Sequence, residues 1–476
     1  MFKERIKSAL IVALIANALF LVSQLWLGNM VWQDAESVFS SWTNNPVFRF
    51  FAPRQATLSV PRENLSRPRR LVINDGSLWV AYYNTDSSFD ALAARARFFV
   101  SAFLRGSAKR EGSLTYAQWL DYMSERSLYA EYPIAMAPTL LARTMGITAT
   151  DIDDDLSAIK EMLILPSDAS NGVRLLARNE DRIIMYSFDR TLYSFPESYL
   201  VEYSRTNPSD GYYEFAFSTL LGLSEERQVQ LDDMVLFSDT EQTASAIYPM
   251  SVISDGDYSS ILNAFYFNAQ PLRHYTDSDM SVNFVENYAT IKIYPDELLE
   301  YSAISPQRGI RLCDADAPLY ETVNAAIDFA ERVWAACNTQ TALNVLVSGD
   351  LLDEENDGRR TITFDYYFDG RPIVVNIEGA DREAMKSGIE LEILDGRLVS
   401  YRQLLRNYTK TQYSERSVNF VTALDYFVSE FSQREESVVI EDLFLGYMDS
   451  GTQEQLTASW VARLRGGEIY ERRIEQ

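Results

Sequence analysis

From Ala9 to Val22 the chain carries a single polar residue, Asn17, and only Ser23, Gln24 and Asn29 break the apolar pattern before Trp32. A helix over 9–32 would be about 36 Å long at ~1.5 Å per residue, enough to cross a hydrocarbon core of roughly 30 Å with some tilt. Lys3, Arg5 and Lys7 precede the run, Asp34 and Glu36 follow it, and Trp26 and Trp32 suit the far interface. The pattern predicts a cytoplasmic stub at 1–8, one transmembrane helix at 9–32 and an extracellular bulk held at the cell membrane. A cleaved signal peptide is the competing reading. It lacks its cleavage motif, because the nearest small-x-small triplet, Ala16-Asn17-Ala18, lies inside the run.

Beyond an irregular connector from Gln33 to Arg70, the hydrophobic period alternates between two and 3.6 residues. Leu71–Asn74 and Leu78–Tyr83 read as a hairpin about Asp75-Gly76. Phe89, Leu92, Ala93, Ala96, Phe99, Val100 and Phe103 mark a helix over 89–104, with Ser87 as N-cap and Gly106 as its stop. Further helices are predicted over Tyr116–Met123 and Pro138–Met145. Strands are predicted over Leu128–Tyr132, Met162–Leu165, Val173–Ala177 and Ile183–Phe188, the last two joined across Asn179-Glu180-Asp181. This makes 33–250 an extracytoplasmic mixed α+β domain.

The second half repeats itself. Ile291–Tyr301 aligns with Leu391–Tyr401 at an offset of 100, so that Ile293, Leu298 and Tyr301 meet Ile393, Leu398 and Tyr401. Upstream, Phe267–Leu272 aligns with Phe368–Ile373 at 101. Downstream, the helical positions Val323, Ile327, Ala330 and Trp334 align with Phe420, Leu424, Phe427 and Phe431 at 97. A strand follows each helix, Leu343–Val347 after the first and Ile440–Tyr447 after the second, which Trp460–Leu464 then joins. One order of strand, strand, helix and strand at nearly one period predicts two homologous units, 251–355 and 356–476. In each, a helix should lie on one face of a small antiparallel sheet, placing Tyr301 over Tyr401 and Ile327 over Leu424. The expected class is α+β throughout: a transmembrane helix, a mixed domain and two repeated sheet-plus-helix domains.

Charge narrows the partners. Forty-three basic against 68 acidic residues give a formal charge of −25, which argues against nucleic acid and anionic lipid headgroups as ligands of the exterior part. Cys313 and Cys337 flank a helix read over Leu319–Ala335. Its ends lie roughly 25 Å apart, against about 5.5 Å between bridged Cα atoms, so two free thiols are expected.

Little catalytic chemistry is legible. His274 is the sole histidine, and neither G-x-S-x-G, a P-loop nor G-x-G-x-x-G occurs. A zinc site would have only His274 and two distant cysteines to draw on. Asp353-Glu354-Glu355-Asn356-Asp357-Gly358 starts like a calcium loop, but its twelfth position is Phe364 where a carboxylate is needed. A strand turn is the better reading of Asp357-Gly358. Asp151–Asp155 lacks both the glycine and the closing glutamate. Asn64-Leu-Ser66 and Asn407-Tyr-Thr409 are glycan sequons at chance frequency, and paired carboxylates for glycoside hydrolysis stay open among 68 acids. No catalytic, cofactor-binding or metal-ligating residue is assigned, and no cofactor is implied. Inside the span, Asn17 and Gln24 are seven apart on a face shared with Ala13 and Phe20. Polar residues in hydrocarbon tend to face protein partners, at roughly 0.6–2 kcal/mol per hydrogen bond, so these four form the candidate transmembrane interface.

The start Met1-Phe-Lys-Glu-Arg-Ile-Lys-Ser8 running into the span, and Phe368-Asp-Gly-Arg-Pro-Ile373 with its following hairpin and helix, resemble the YycH family. These proteins, relatives of YycI, are membrane-anchored accessory proteins of the WalK/WalR two-component system in low-GC Gram-positive bacteria. The resemblance implies an N-terminal domain followed by two domains of one shared fold. It also implies a non-enzymatic regulator associating with a sensor histidine kinase and a YycI-like partner through transmembrane helices, with no catalytic residues to carry over. The alternatives are an envelope carbohydrate-active enzyme using paired carboxylates, and an exterior module binding a peptide or wall fragment.

Overall fold

Arg70–Asn74 pairs antiparallel with Trp79–Tyr83, Asn74 opposite Trp79, because the alternation buries one face of each strand and Gly76 turns the corner at φ 92°. Seven further strands extend this hairpin into a wholly antiparallel sheet. Its order is Leu236–Ser238, Tyr213–Phe215, Trp79–Tyr83, Arg70–Asn74, Ser127–Met136, Ile159–Leu165, Arg174–Arg178, Ile183–Phe188, Ala108–Leu114. Helix Phe89–Leu104 covers one face, with Phe99 against Phe188 and Phe103 against Tyr186. Helix Tyr116–Ser124, started by a Thr115–Gln118 capping box, puts Trp119 and Met123 into a separate core on the other face. The computed structural model describes residues 58–59, 65 and 67–472, except 84–87, 148–155, 169–170, 180–181, 209–212, 220–227, 239, 241–242, 254–257, 268–272, 338–342, 350, 352–357, 380–381, 417–418, 435 and 453. The stub, the 9–32 span with Ala13, Asn17, Phe20 and Gln24, the Ser87 cap and both acidic runs, Asp151–Asp155 and Asp353–Asp357, lie outside the described residues. Among the described residues no helix is long and apolar enough to cross a membrane.

Where the periodicity is strong, the elements stand as expected: Phe89–Leu104, Tyr116–Ser124, Pro138–Thr144 and Ile183–Phe188. Strand Ala108–Leu114 is not predicted by the pattern. It is the sheet's edge, Lys109, Arg110 and Glu111 are exposed, and a bulge between Arg110 and Gly112 spoils its alternation.

The second sheet runs Arg273–Thr276, Val282–Val285, Ala289–Ile293, Leu298–Ala303, Arg397–Leu404, Ile389–Leu394, Arg359–Phe368, Arg371–Val375, Val438–Asp449, Ser459–Leu464, Ile469–Arg472. The residues aligned at an offset of 100 therefore meet edge to edge. Leu298 pairs with Leu404, Glu300 with Arg402, Tyr301 with Tyr401 and Ser302 with Ser400. Exchanging the two stretches leaves this register unchanged, so a local two-fold axis passes between Tyr301 and Tyr401, as in an isologous dimer interface. Phe265 stacks on Tyr301 at 5.2 Å and Phe329 meets Tyr401 at 5.4 Å.

Helix Leu319–Ala336 buries Val323, Ile327, Ala330 and Trp334, and helix Phe420–Phe431 buries Phe420, Leu424, Phe427 and Phe431. Stepping across the registers from Tyr401 through Leu391 and Ile362, then from Tyr366 through Ile373 to Tyr447, stays on one face of the sheet. Leu445, two residues from Tyr447, belongs to the core under the second helix. Both helices thus cover the same face.

Of the upstream stretch Phe267–Leu272 only Phe267 is among the described residues. Phe267 closes the short helix Ser259–Ala264, whereas Phe368–Arg371 is a two-residue hairpin turn with Asp369 at φ 52° and Gly370 at φ 77°. Arg382–Met385, numerically equivalent to Val282–Val285, pairs with Ile377–Gly379 in a ribbon apart, and Arg359–Phe368 takes the place beside Ile389–Leu394. Long-range pairing also crosses residue 250: Val229–Leu231 runs parallel to Val438–Ile440, and Thr243–Ser251 pairs with Arg406–Arg416. Cys313, half-buried, and Cys337, buried, are free thiols at opposite ends of helix Leu319–Ala336, and burial pushes the Cys337 thiol up to about 12.

Candidate interaction surface

His274 lies exposed on strand Arg273–Thr276, its ring 6.1 Å from Phe284. Among the described residues no three His, Cys, Asp or Glu side chains gather as metal ligands. Buried carboxylates are instead matched to arginines. Arg69 bridges Glu131 at 2.7 Å and Asp442 at 3.2 Å, and Arg70 also pairs with Glu131. Burial pushes the Asp442 carboxyl up, but Arg69 and Arg463 outweigh it and hold the group below its ordinary value.

Two carboxyls are raised by burial, and each has a carboxylate neighbour. Glu161 stands opposite Glu131 and takes bonds from Arg178 at 2.5 Å and the Tyr129 hydroxyl at 2.9 Å. Asp365 faces Arg463 and the hydroxyls of Ser348 and Ser387; two residues before it, Thr363 is opposite Glu390, which Arg402 holds at 3.0 Å. None of these carboxylates lines the cavity described below.

Among the described residues Arg406 and its partner Asp449 are fully enclosed charges, both at 0% side-chain exposure. The Arg406 Nε donates to Glu297 at 2.6 Å, its Nη1 to Asp449 at 2.9 Å and to the Thr452 carbonyl at 2.5 Å, and its Nη2 to the carbonyls of Gly451 and Asp296 at 2.7 and 3.2 Å. The Tyr408 hydroxyl takes the other Asp449 oxygen at 2.9 Å. Glu297, at φ 70°, sits in the turn of the first repeat hairpin, so one guanidinium ties that turn to the ribbon and to the end of Val438–Asp449. Every donor is used, which makes this a fastening and not a reactive centre.

A cavity of about 360 Å³ lies between the end of helix Phe420–Phe431 and the short strand Val229–Leu231. Leu424 and Val428 form its helical wall, Val229, Leu231 and Ile440 its sheet wall, and Gln228, Gln230 and Ser432 supply polar groups. Val229–Leu231 runs parallel to Val438–Ile440, and Val421, Tyr426 and Val428 are exposed on the helix beside it. A slot with these apolar walls and a few polar groups at its rim accepts an apolar side chain. The sequence carried a signal for it: Phe420–Phe431 is apolar at Val421, Tyr426 and Val428 as well as along the stripe its own core needs. The sequence-derived interface residues, Ala13, Asn17, Phe20 and Gln24, lie outside the described residues and are not brought to this surface.

No family model matches this chain, and no curated protein matches it. Among solved structures, the chain is similar to the crystal structure of YycH from Bacillus subtilis, with a TM-score of 0.56 at 10% identity, over 88% of this chain and 99% of that one. The fold is YycH-like.

Proposed function

We propose that this chain is a non-enzymatic regulator of a cell-envelope two-component sensor kinase of the WalK type. In this reading one helix over 9–32 anchors it in the cell membrane, 1–8 is cytoplasmic, and the mixed domain (33–250) and the two repeat units (251–355 and 356–476) are extracellular. Its partners are the kinase and a YycI-like protein. The observation that carries the reading is the YycH-like fold, which extends over 88% of the chain and 99% of the solved YycH chain. The sequence resemblance at Met1–Ser8 and Phe368–Ile373 points the same way.

In this reading a signal passes through the span or through exterior contacts that bias another protein's span. A partner acts by differential affinity for two kinase states, and a coupling of about 1–3 kcal/mol changes activity roughly 5–150-fold. Two interhelical hydrogen bonds from Asn17 and Gln24, on the face with Ala13 and Phe20, supply that range. Asn17→Leu with Gln24→Leu should leave insertion and exterior folding intact while weakening co-purification with the kinase and the output of a kinase-dependent reporter. Replacing 9–32 by an unrelated apolar helix should do the same. If the span-swapped protein co-purifies and regulates normally, the span is only an anchor and this mechanism is wrong.

A further inference from the structure

Residues 89–114 and 183–193 depart from the charge of the chain. They carry six cations, Arg95, Arg97, Arg105, Lys109, Arg110 and Arg190, against three carboxylates, Asp90, Glu111 and Asp189. All three carboxylates are engaged locally. Arg67 holds Asp90 at 2.6 Å, the Ser187 hydroxyl donates to Glu111 at 2.6 Å, and Thr191 gives Asp189 its backbone N–H at 2.8 Å and its hydroxyl at 2.7 Å. Arg97, Arg105 and Arg190 are exposed and make no ion pair with any described residue. Beside them stand two apolar side chains that the fold leaves in solvent, Phe98 at 49% and Leu192 at 75% exposure. Phe98 packs on Tyr193 at 5.8 Å, which joins the turn at 189–193 to the outer face of helix Phe89–Leu104. Behind this surface the Arg95 guanidinium lies over the rings of Phe98, Phe99, Phe195 and Tyr199 at 5.3–5.9 Å.

We infer that this face docks on an anionic phospholipid surface, Phe98 and Leu192 entering the headgroup boundary while Arg97, Arg105 and Arg190 meet lipid phosphates. Charge complementarity selects an anionic partner for a patch of six cations against three locally engaged carboxylates. The two apolar side chains select a bilayer over a soluble polyanion, which offers them no apolar phase. The overall charge argues against anionic lipid, but this face carries more cations than carboxylates and departs from it. The inference rests on the anchored reading above, because the span would hold this domain at a bilayer.

The full chain carrying Ala94→Cys, an exposed position on the same helix face, is labelled with an environment-sensitive fluorophore and reconstituted in vesicles of phosphatidylcholine alone or with a quarter phosphatidylglycerol. The chain without Ala94→Cys, labelled alongside, gives the background from Cys313 and Cys337. Docking predicts a blue shift and quenching by lipid-borne nitroxides in the anionic vesicles, lost at high salt. Each cation near an anionic surface is worth about fivefold, so Arg97→Glu with Arg105→Glu should lower the docked-to-undocked ratio roughly 25-fold or more. Phe98→Ser with Leu192→Ser should abolish nitroxide quenching, with unchanged circular dichroism in both variants. Equal emission in the two vesicle types overturns the inference. So does a response to soluble polyphosphate in phosphatidylcholine vesicles that survives Phe98→Ser with Leu192→Ser, which would make the face a polyanion site. Release of the chain from phosphatidylcholine vesicles by alkaline wash overturns the anchor instead, and is read separately from the label.

Discussion

Arg406→Met should be among the most damaging single substitutions in the described fold. The side chain is fully buried and makes five hydrogen bonds to Glu297, Asp449 and three carbonyls. Methionine fills much of its volume but leaves Asp449, itself at 0% exposure, with only Tyr408 and the Gly451 N–H as partners. Breaking a buried pair by removing one member costs about 3–5 kcal/mol, most of it the stranded charge. Unfolding entropy of about 2.1 cal/mol/K per residue, over a unit spanning Ala56–Gln476, gives roughly 0.9 kcal/mol per kelvin, so Tm should fall by about 3–6 °C. Thermal unfolding followed by circular dichroism measures this. The decisive comparison is Arg406→Met combined with Glu297→Gln and Asp449→Asn, where no charge is stranded and much of the loss should return. A drop under about 1 °C for Arg406→Met, or a combined variant no more stable than the single one, refutes the argument.

Asp365 gives a pH signature. Burial holds its proton to higher pH than in the unfolded chain, whose value is near 3.8, so wild-type stability should fall as pH rises through the window above 3.8. Asp365→Asn should remove that slope, melting above wild type at pH 7 and converging with it near pH 4; parallel profiles would show that the group titrates normally. Gly396 tests the turn beneath Cys313. It holds φ 72°, and an added Cβ would lie 2.4 Å from the Cys313 carbonyl oxygen and 2.6 Å from that of Asp314. Gly396→Ala should therefore cost more than the ~1 kcal/mol of a left-handed residue alone. Gly467→Ala, at φ 83° with no atom within 4 Å, should cost only that amount; equal urea midpoints for the two variants would contradict the clash.

The sequence by itself determined whatever depends on neighbours within a few residues. Helix Phe89–Leu104 follows from its i, i+3, i+4 spacing and ends where Gly106 can take φ 72°. The separation of Cys313 from Cys337 follows from the length of the helix between them. The kinship of the two hairpins was legible too, because Tyr301 and Tyr401 are buried by the same local pattern. Only the tertiary structure decided that they pair edge to edge across a two-fold axis, since side-chain alternation fixes which face is buried but not which strand lies alongside. For the same reason the polar edge strand Ala108–Leu114 carried no signal, and Val229–Leu231 gave no hint of its partner Val438–Ile440 more than two hundred residues away. The partners of Arg406 lie 109 and 43 residues from it, beyond any periodicity. Charge shows the same division: composition set the net at −25 and the sequence put Arg97 next to Phe98 and Arg190 near Leu192, but only folding joined these two stretches, through Phe98 against Tyr193. Local pattern fixes burial residue by residue, and long-range pairing decides which buried and exposed residues meet.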